Sequence, residues 1–149
     1  MAEMEFPKTP HAAVRRRRTA ARSSGRLPVA NPPLARGVAL HNQGRYFEAH
    51  EAWEELWRAE RDPLSRRLLQ GLIQVTAAFH KCCVMGDRAS AERLLARGLT
   101  KLDDVPNGSF GLELDCFRAE VRCCVGALAE GALATEVVPK LNFRAARGR

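Results

Sequence analysis

The chain has 149 residues, enough for one helical domain, and 46% of them are hydrophobic, so a core can form without disulfides or a metal. Its formal net charge of +7 is concentrated at the two ends, because residues 1–30 carry +5 and residues 140–149 carry +4. Residues 31–139 hold 13 basic and 15 acidic residues, a net charge of −2. The part expected to fold therefore lacks the net positive charge typical of a nucleic-acid-binding domain, and only the tails make a weak case for such binding.

Membrane and secretory classes are not favoured either. No apolar run reaches the ~18 residues that a membrane span needs, and no apolar segment follows Arg15–Arg18 as it would in a secretory or twin-arginine signal. The cysteine count of five is odd, and none of the spacings is the C-x-x-C of a metal site. We therefore expect a cytoplasmic protein whose cysteines are free thiols, namely Cys82, Cys83, Cys116, Cys123 and Cys124.

Composition divides the chain into three parts. Residues 1–30 mix Pro, Ser, Gly and Arg without periodic apolar positions, which predicts a disordered arginine-rich leader. Residues 31–139 have helical periodicity and are expected to form the domain. Residues 140–149 are expected to be a basic tail, since terminal runs of like charge are usually solvated.

Capping residues predict three helices in the first half of the domain. Asn31, which precedes two prolines, predicts a first helix at about 33–43. A second helix, at about 45–61, ends at Asp62, and this aspartate also caps a third at about 63–85. The third helix is apolar around most of its circumference, which places it at the centre of a bundle.

Two further helices are predicted in the second half. A cap at Asp87 begins a fourth helix, whose inward stripe of apolar residues ends at Leu102. Asp115 is expected to cap a fifth helix that Gly131 ends, and residues 137–139 are expected to pack back as an extended strap. The predicted fold class is all-α, a compact bundle of about five helices with a disordered basic leader.

The second helix has an unusual polar group of residues. A helical wheel with roughly 100° per residue predicts that one half of this helix faces the core, with Glu54 at the edge of that half. The inward half holds an imidazole and two indoles, those of His50, Trp53 and Trp57. A carboxylate in an apolar interface needs a hydrogen-bond partner, and the imidazole one turn earlier is the nearest. We therefore predict an inward polar cluster on this helix.

The third helix supplies side chains that could join the cluster. Gln70 and Gln74 lie one turn apart on a single stripe of an otherwise apolar helix, and buried amides need partners. Because a tight turn makes the second and third helices antiparallel neighbours, we expect both glutamines beside His50 and Glu54. His80 projects some 120° away from Gln74 and is a poorer candidate.

Two motifs carry these residues: NQGRYFEAHE at 42–51, extended by the spacing H-x-x-x-E-x-x-W to Glu54 and Trp57, and LQGLIQ at 69–74. Together they resemble the domain-of-unknown-function 309 (DUF309) family over about residues 34–128. The resemblance implies a small helical bacterial and archaeal domain without an assigned activity, in which His50, Glu54 and Trp57 are signature positions. The chain departs from the family pattern at His41, where a large apolar residue such as Phe is expected.

Three interpretations of the cluster stay open. The first is an architectural hydrogen-bond network that fixes how two helices dock. The second is a binding module, in which tryptophans and glutamines line a site for an unknown small molecule or protein partner. The third is a hydrolase in which His50 acts as a base oriented by Glu54, or binds a metal together with Glu54 and a third ligand from His41, His80 or elsewhere. Structural or binding function is expected first, with enzyme activity left open, and the sequence specifies no cofactor or oligomeric state.

Overall fold

A computed structural model describes residues 31–131 and 138–144 of the chain. Within these residues the chain forms five α-helices and no β-strand, which confirms the predicted all-α class. The helices are α1 (Pro32–Asn42), α2 (Tyr46–Ala59), α3 (Pro63–Phe79), α4 (Arg88–Leu102) and α5 (Leu114–Ala129). None of them has the length and apolar composition to cross a membrane. The predicted disorder of residues 1–30 lies outside the described residues.

The helix starts follow local capping signals. The side chains of Asn31, Asp62 and Asp87 each accept a hydrogen bond from the backbone amide three residues further on, at 2.8, 2.9 and 3.1 Å. These contacts satisfy amides that the first turn of a helix leaves without a partner. The predicted cap at Asp115 is wrong, because α5 already begins at Leu114 and the aspartate lies in its first turn.

α3 is the central helix and packs against both α2 and α4. Its backbone approaches that of α4 closely at two glycines: a Cβ placed on Gly98 would lie 2.9 Å from the carbonyl oxygen of Gly71. The α-helical part of α3 is shorter than predicted, since it ends at Phe79 and continues as a π-helical turn over His80–Val84. Single π turns of this kind are often found near functional sites.

Residues 138–144 form an extended segment, the C-terminal strap, that packs on the bundle. The side chain of Asn42 makes two hydrogen bonds to the backbone of Leu141 in this strap. It donates to the Leu141 carbonyl at 2.8 Å and accepts from the Leu141 amide at 2.9 Å. Leu141 is fully buried, and Phe143 forms an isolated antiparallel bridge with Leu112. Leu141, which composition assigned to the basic tail, therefore contributes to the core.

Candidate functional site

One face of α2 carries a row of three ionisable side chains, His50, Glu54 and Arg58, each one helical turn after the last. Oε1 of Glu54 lies 3.6 Å from Nδ1 of His50, and Oε2 lies 3.4 Å from Nη2 of Arg58. The side chain of Glu54 is 31% exposed, whereas that of His50 is only 7% exposed. The structure thus brings together the two polar residues of the predicted cluster and adds an arginine; we call these three residues the α2 row.

Burial decides the protonation state of His50. Loss of solvent, and to a smaller degree the nearby His80 and Arg58, lower its pKa from 6.5 to about 4. The imidazole is therefore neutral at neutral pH, with one ring nitrogen able to donate and the other able to accept. In this state His50 and Glu54 interact as a dipole and a charge and not as an ion pair.

His80 lies closer to this site than the sequence indicated. The ring of Phe47 stacks on His50 with 6.4 Å between centroids and also contacts His80 at 5.7 Å. His80 belongs to the π turn that follows α3, and burial lowers its pKa as well. The side chain of Phe47 thus contacts two imidazoles, one from α2 and one from the π turn.

The two tryptophans of the cluster differ in role. Trp53 is buried in the core, and its Nε1 donates to the carbonyl of Leu34 at 3.2 Å. It packs so closely on α1 that a Cβ on Gly37 would collide with the indole. Trp53 therefore anchors α2 to α1.

Trp57 lies at the end of the α2 row and is only partly buried. The guanidinium carbon of Arg66 stands 4.3 Å from the centre of its ring, a cation–π contact. The indole Nε1 is shielded from solvent and has no hydrogen-bond partner within the part of the chain that the structure describes. A buried donor without an acceptor costs about 1–3 kcal/mol, which makes Trp57 an energetically unsatisfied neighbour of Glu54.

The glutamines of α3 are arranged differently from the expectation. Gln74 accepts a hydrogen bond from Nζ of Lys101 at 3.1 Å, so it faces α4 and not the α2 row. Gln70 is half-buried one turn earlier on the same stripe of α3. Two residues of the LQGLIQ motif, Gly71 and Gln74, therefore contact α4.

His41, the departure from the family pattern, is part of the core. Its Nε2 lies 3.0 Å from the carbonyl oxygen of Pro139, and its Nδ1 lies 3.0 Å from Oγ1 of Thr76. Burial lowers its pKa to about 4. Four aromatic rings surround it with centroids 5.4–6.2 Å away: Tyr46, Trp53, Phe79 and Phe117.

These contacts bear on a metal site. Both ring nitrogens of His41 are already used, so it cannot supply the third ligand that a site on His50 and Glu54 would need. Across residues 31–131 and 138–144, no three His, Cys, Asp or Glu side chains are placed to hold a metal ion.

The fold and the α2 row define a small all-helical protein with a half-buried polar face on its second helix. The family model described as Domain of unknown function (DUF309) matches residues 34–94. This match includes both motifs and confirms the resemblance over residues 34–94, a shorter range than the 34–128 expected from the sequence. Among curated proteins the comparison found no match.

Proposed function

We propose that the protein is a binding module and that the α2 row, with Trp57 beside it, binds a small ligand or peptide side chain that carries a cationic hydrogen-bond donor. The observation that supports this most is the state of the Glu54 carboxylate. Its contacts to His50 and Arg58, at 3.6 and 3.4 Å, are longer than the 2.7–3.2 Å of a good hydrogen bond. An ionised carboxylate accepts about four hydrogen bonds, so a partly exposed Glu54 keeps capacity for a ligand.

The charge of α2 favours a cationic ligand. The helix holds four glutamates, Glu48, Glu51, Glu54 and Glu55, and one arginine, Arg58. The helix therefore carries a net charge of −3, which favours cations over anions near it. A neutral His50 adds no positive charge to oppose such a ligand.

The other two interpretations have less support. A hydrogen-bond network between α2 and α3 would need the glutamines, but Gln74 is paired with Lys101. A general base works best with a pKa near the operating pH, and burial lowers the pKa of His50 to about 4, which makes it a weak base at pH 7. We also propose a cytoplasmic location, which the five free cysteines favour because thiols persist in a reducing compartment.

The test uses N-acetylarginine methylamide as the probe and N-acetylglutamine methylamide as its uncharged control, each titrated into ¹⁵N-labelled protein. We expect saturable shifts of α2 amides with the cationic probe only, at a Kd of about 1 mM. Glu54→Gln should weaken binding about tenfold. Glu55→Gln makes the same charge change on the exposed side of the helix and should leave the affinity unchanged.

Two results would refute the proposal. One is equal loss of binding in the Glu54 and Glu55 variants, which would mean that only the overall charge of the helix matters. The other is destabilisation of Glu54→Gln by about 2 kcal/mol or more in urea, which is the size expected for a buried architectural contact. A partly exposed ion pair is worth less than about 1 kcal/mol, so a binding role predicts nearly unchanged stability.

A further inference from the structure

A second polar feature lies where α3 packs on α4, away from the α2 row. The close approach of Gly71 and Gly98 fixes the two helices at a short separation. On one side of this crossing, helical geometry brings polar side chains of both helices next to one another. We call this group the α3–α4 seam; it consists of Arg67 and Gln74 from α3 and Arg97 and Lys101 from α4.

Lys101 is the centre of the seam. It is half-buried, and its ammonium donates one hydrogen bond to Oε1 of Gln74 at 3.1 Å. An ammonium group has three hydrogens to donate, and this is its one hydrogen bond to any residue that the structure describes. Gln74 therefore holds Lys101 in position across the seam while two hydrogens stay available.

Positive charge accumulates around Lys101. Arg97 lies one turn before it on α4 and is exposed, and Arg67 reaches across from α3 to Asp104, with 2.7 Å between Nη2 and Oδ2. Burial, and then the charges of these two arginines, lower the pKa of Lys101. Three cations thus share the seam with one carboxylate, Asp104, which Arg67 already binds.

We propose that the α3–α4 seam binds the phosphate group of a small phosphorylated compound, with Lys101 and Arg97 as its charged contacts and Gln74 as the residue that positions Lys101. Lysine and arginine are the usual donors to phosphate, and partial burial strengthens such contacts. The chain composition favours a ligand of phosphate size. Residues 31–139 carry a net charge of −2, so a long polyanion would meet no overall excess of positive charge beyond the basic side chains of α4.

This site is independent of the proposed function of α2. The two sites involve different residues, and they attract ligands of opposite charge. Either can therefore be lost by mutation without the other, and failure of one proposal leaves the other standing.

The experiment titrates the protein with sodium phosphate in a HEPES buffer at constant ionic strength and follows binding by calorimetry and by the side-chain signals of Lys101. We expect a Kd of about 1 mM or lower. Because a bound anion favours the charged ammonium, the pKa of Lys101 should rise on binding. Lys101→Gln and Arg97→Gln should each weaken binding about tenfold, and Arg97 is exposed, so its replacement should not disturb folding.

Two further variants separate a defined site from charge screening. Gln74→Leu keeps every charge but releases Lys101, and we expect weaker phosphate binding. Arg45→Gln removes one positive charge from the start of α2, where Arg45 pairs with Glu48, and should bind phosphate like the parent protein. Equal losses in the Lys101 and Arg45 variants, or no saturable binding by the parent protein, would overturn the proposal.

A second arm of the experiment uses a single-stranded DNA of about 20 nucleotides as the probe, which is long enough to make several phosphate contacts with the protein. We expect it to compete weakly with phosphate at the seam. Tight binding of the oligonucleotide that Lys101→Gln abolishes would show that the seam contacts a nucleic-acid backbone, and would overturn the assignment to a small ligand.

Discussion

Thr76 and His41 share a hydrogen bond in the core, with 3.0 Å between Oγ1 and Nδ1. The carbonyl of Pro139 can only accept, so Nε2 of the imidazole carries the hydrogen and Nδ1 accepts from the threonine hydroxyl. This arrangement requires a neutral ring, which burial favours. It also gives the reason for a histidine where the family resemblance led us to expect Phe, because both ring nitrogens have partners.

Replacing His41 with Phe should destabilise the protein although Phe is more hydrophobic. The substitution removes both hydrogen bonds and leaves the Thr76 hydroxyl and the Pro139 carbonyl buried without a partner. We expect the free energy of unfolding in urea to fall by about 2 kcal/mol or more. The double variant His41→Phe with Thr76→Val removes one of the two orphaned groups and should recover part of the loss. A single variant as stable as the parent would show that these hydrogen bonds contribute nothing.

The two buried histidines predict a loss of stability in mild acid. The pKa of His41 and that of His50 are both lowered to about 4 in the fold, from the 6.5 of a free histidine. The unfolded chain therefore binds more protons between these values, so stability is greatest above about pH 7 and falls as the pH drops towards 4. Each histidine can contribute roughly 3 kcal/mol to this loss.

Urea unfolding measures this effect at about pH 7.5, 6.0 and 4.5, which lie on both sides of the normal histidine pKa. The His41→Phe variant is the control, because it should lose less stability over the same range than the parent. Constant stability across the series would contradict the neutral, buried state of both rings.

Gly98→Ala tests the close approach of α3 and α4. Alanine normally stabilises a helix by about 1 kcal/mol relative to glycine, but here the added Cβ would meet the Gly71 carbonyl oxygen at 2.9 Å. We expect a net loss of about 2 kcal/mol from overpacking. Gly126→Ala in α5 is the matched control, since a Cβ there has no atom within 4 Å, and it should gain about 0.5–1 kcal/mol. Thermal unfolding measures the stability of both variants. A Gly98→Ala variant more stable than the parent would contradict the close contact of the two helices.

The thiols should differ in reactivity. Burial raises the pKa of Cys83 and that of Cys124 to about 11, whereas Cys116 and Cys123 are exposed. The thiolate is the reactive form of cysteine. Iodoacetamide at about pH 8 should therefore label Cys116 and Cys123 at least about tenfold faster than Cys83 and Cys124. Peptide mass spectrometry over time measures the rates, with urea-unfolded protein as the control in which all five react alike. Uniform labelling of the native protein would contradict the described burial.

The helices could be predicted because their signals are local. A cap such as Asp62 and the amide that it binds lie three residues apart, so the contact can be read from neighbouring residues. The π turn after Phe79 could not be predicted, because its hydrogen bond from Met85 to His80 differs from an α-helical one by a single residue in register. Five residues are too few to change the apolar periodicity.

The candidate site was predicted on α2 but not on α3. A helical wheel gives the angles between residues of one helix, and it correctly grouped His50 with Glu54 and separated His80 from Gln74. It does not say which neighbouring helix each side of the wheel faces. Gln74 faces α4, and the side some 120° around, which carries His80, comes near α2.

The contact between His41 and Pro139 joins residues that are 98 positions apart. Chains are synthesised at about 5–20 residues per second, so α1 to α4 leave the ribosome before the carbonyl that this imidazole requires. Until then a growing chain carries an unmet polar group at the middle of its nascent core. Completion of the native packing is thereby tied to the arrival of the last described segment.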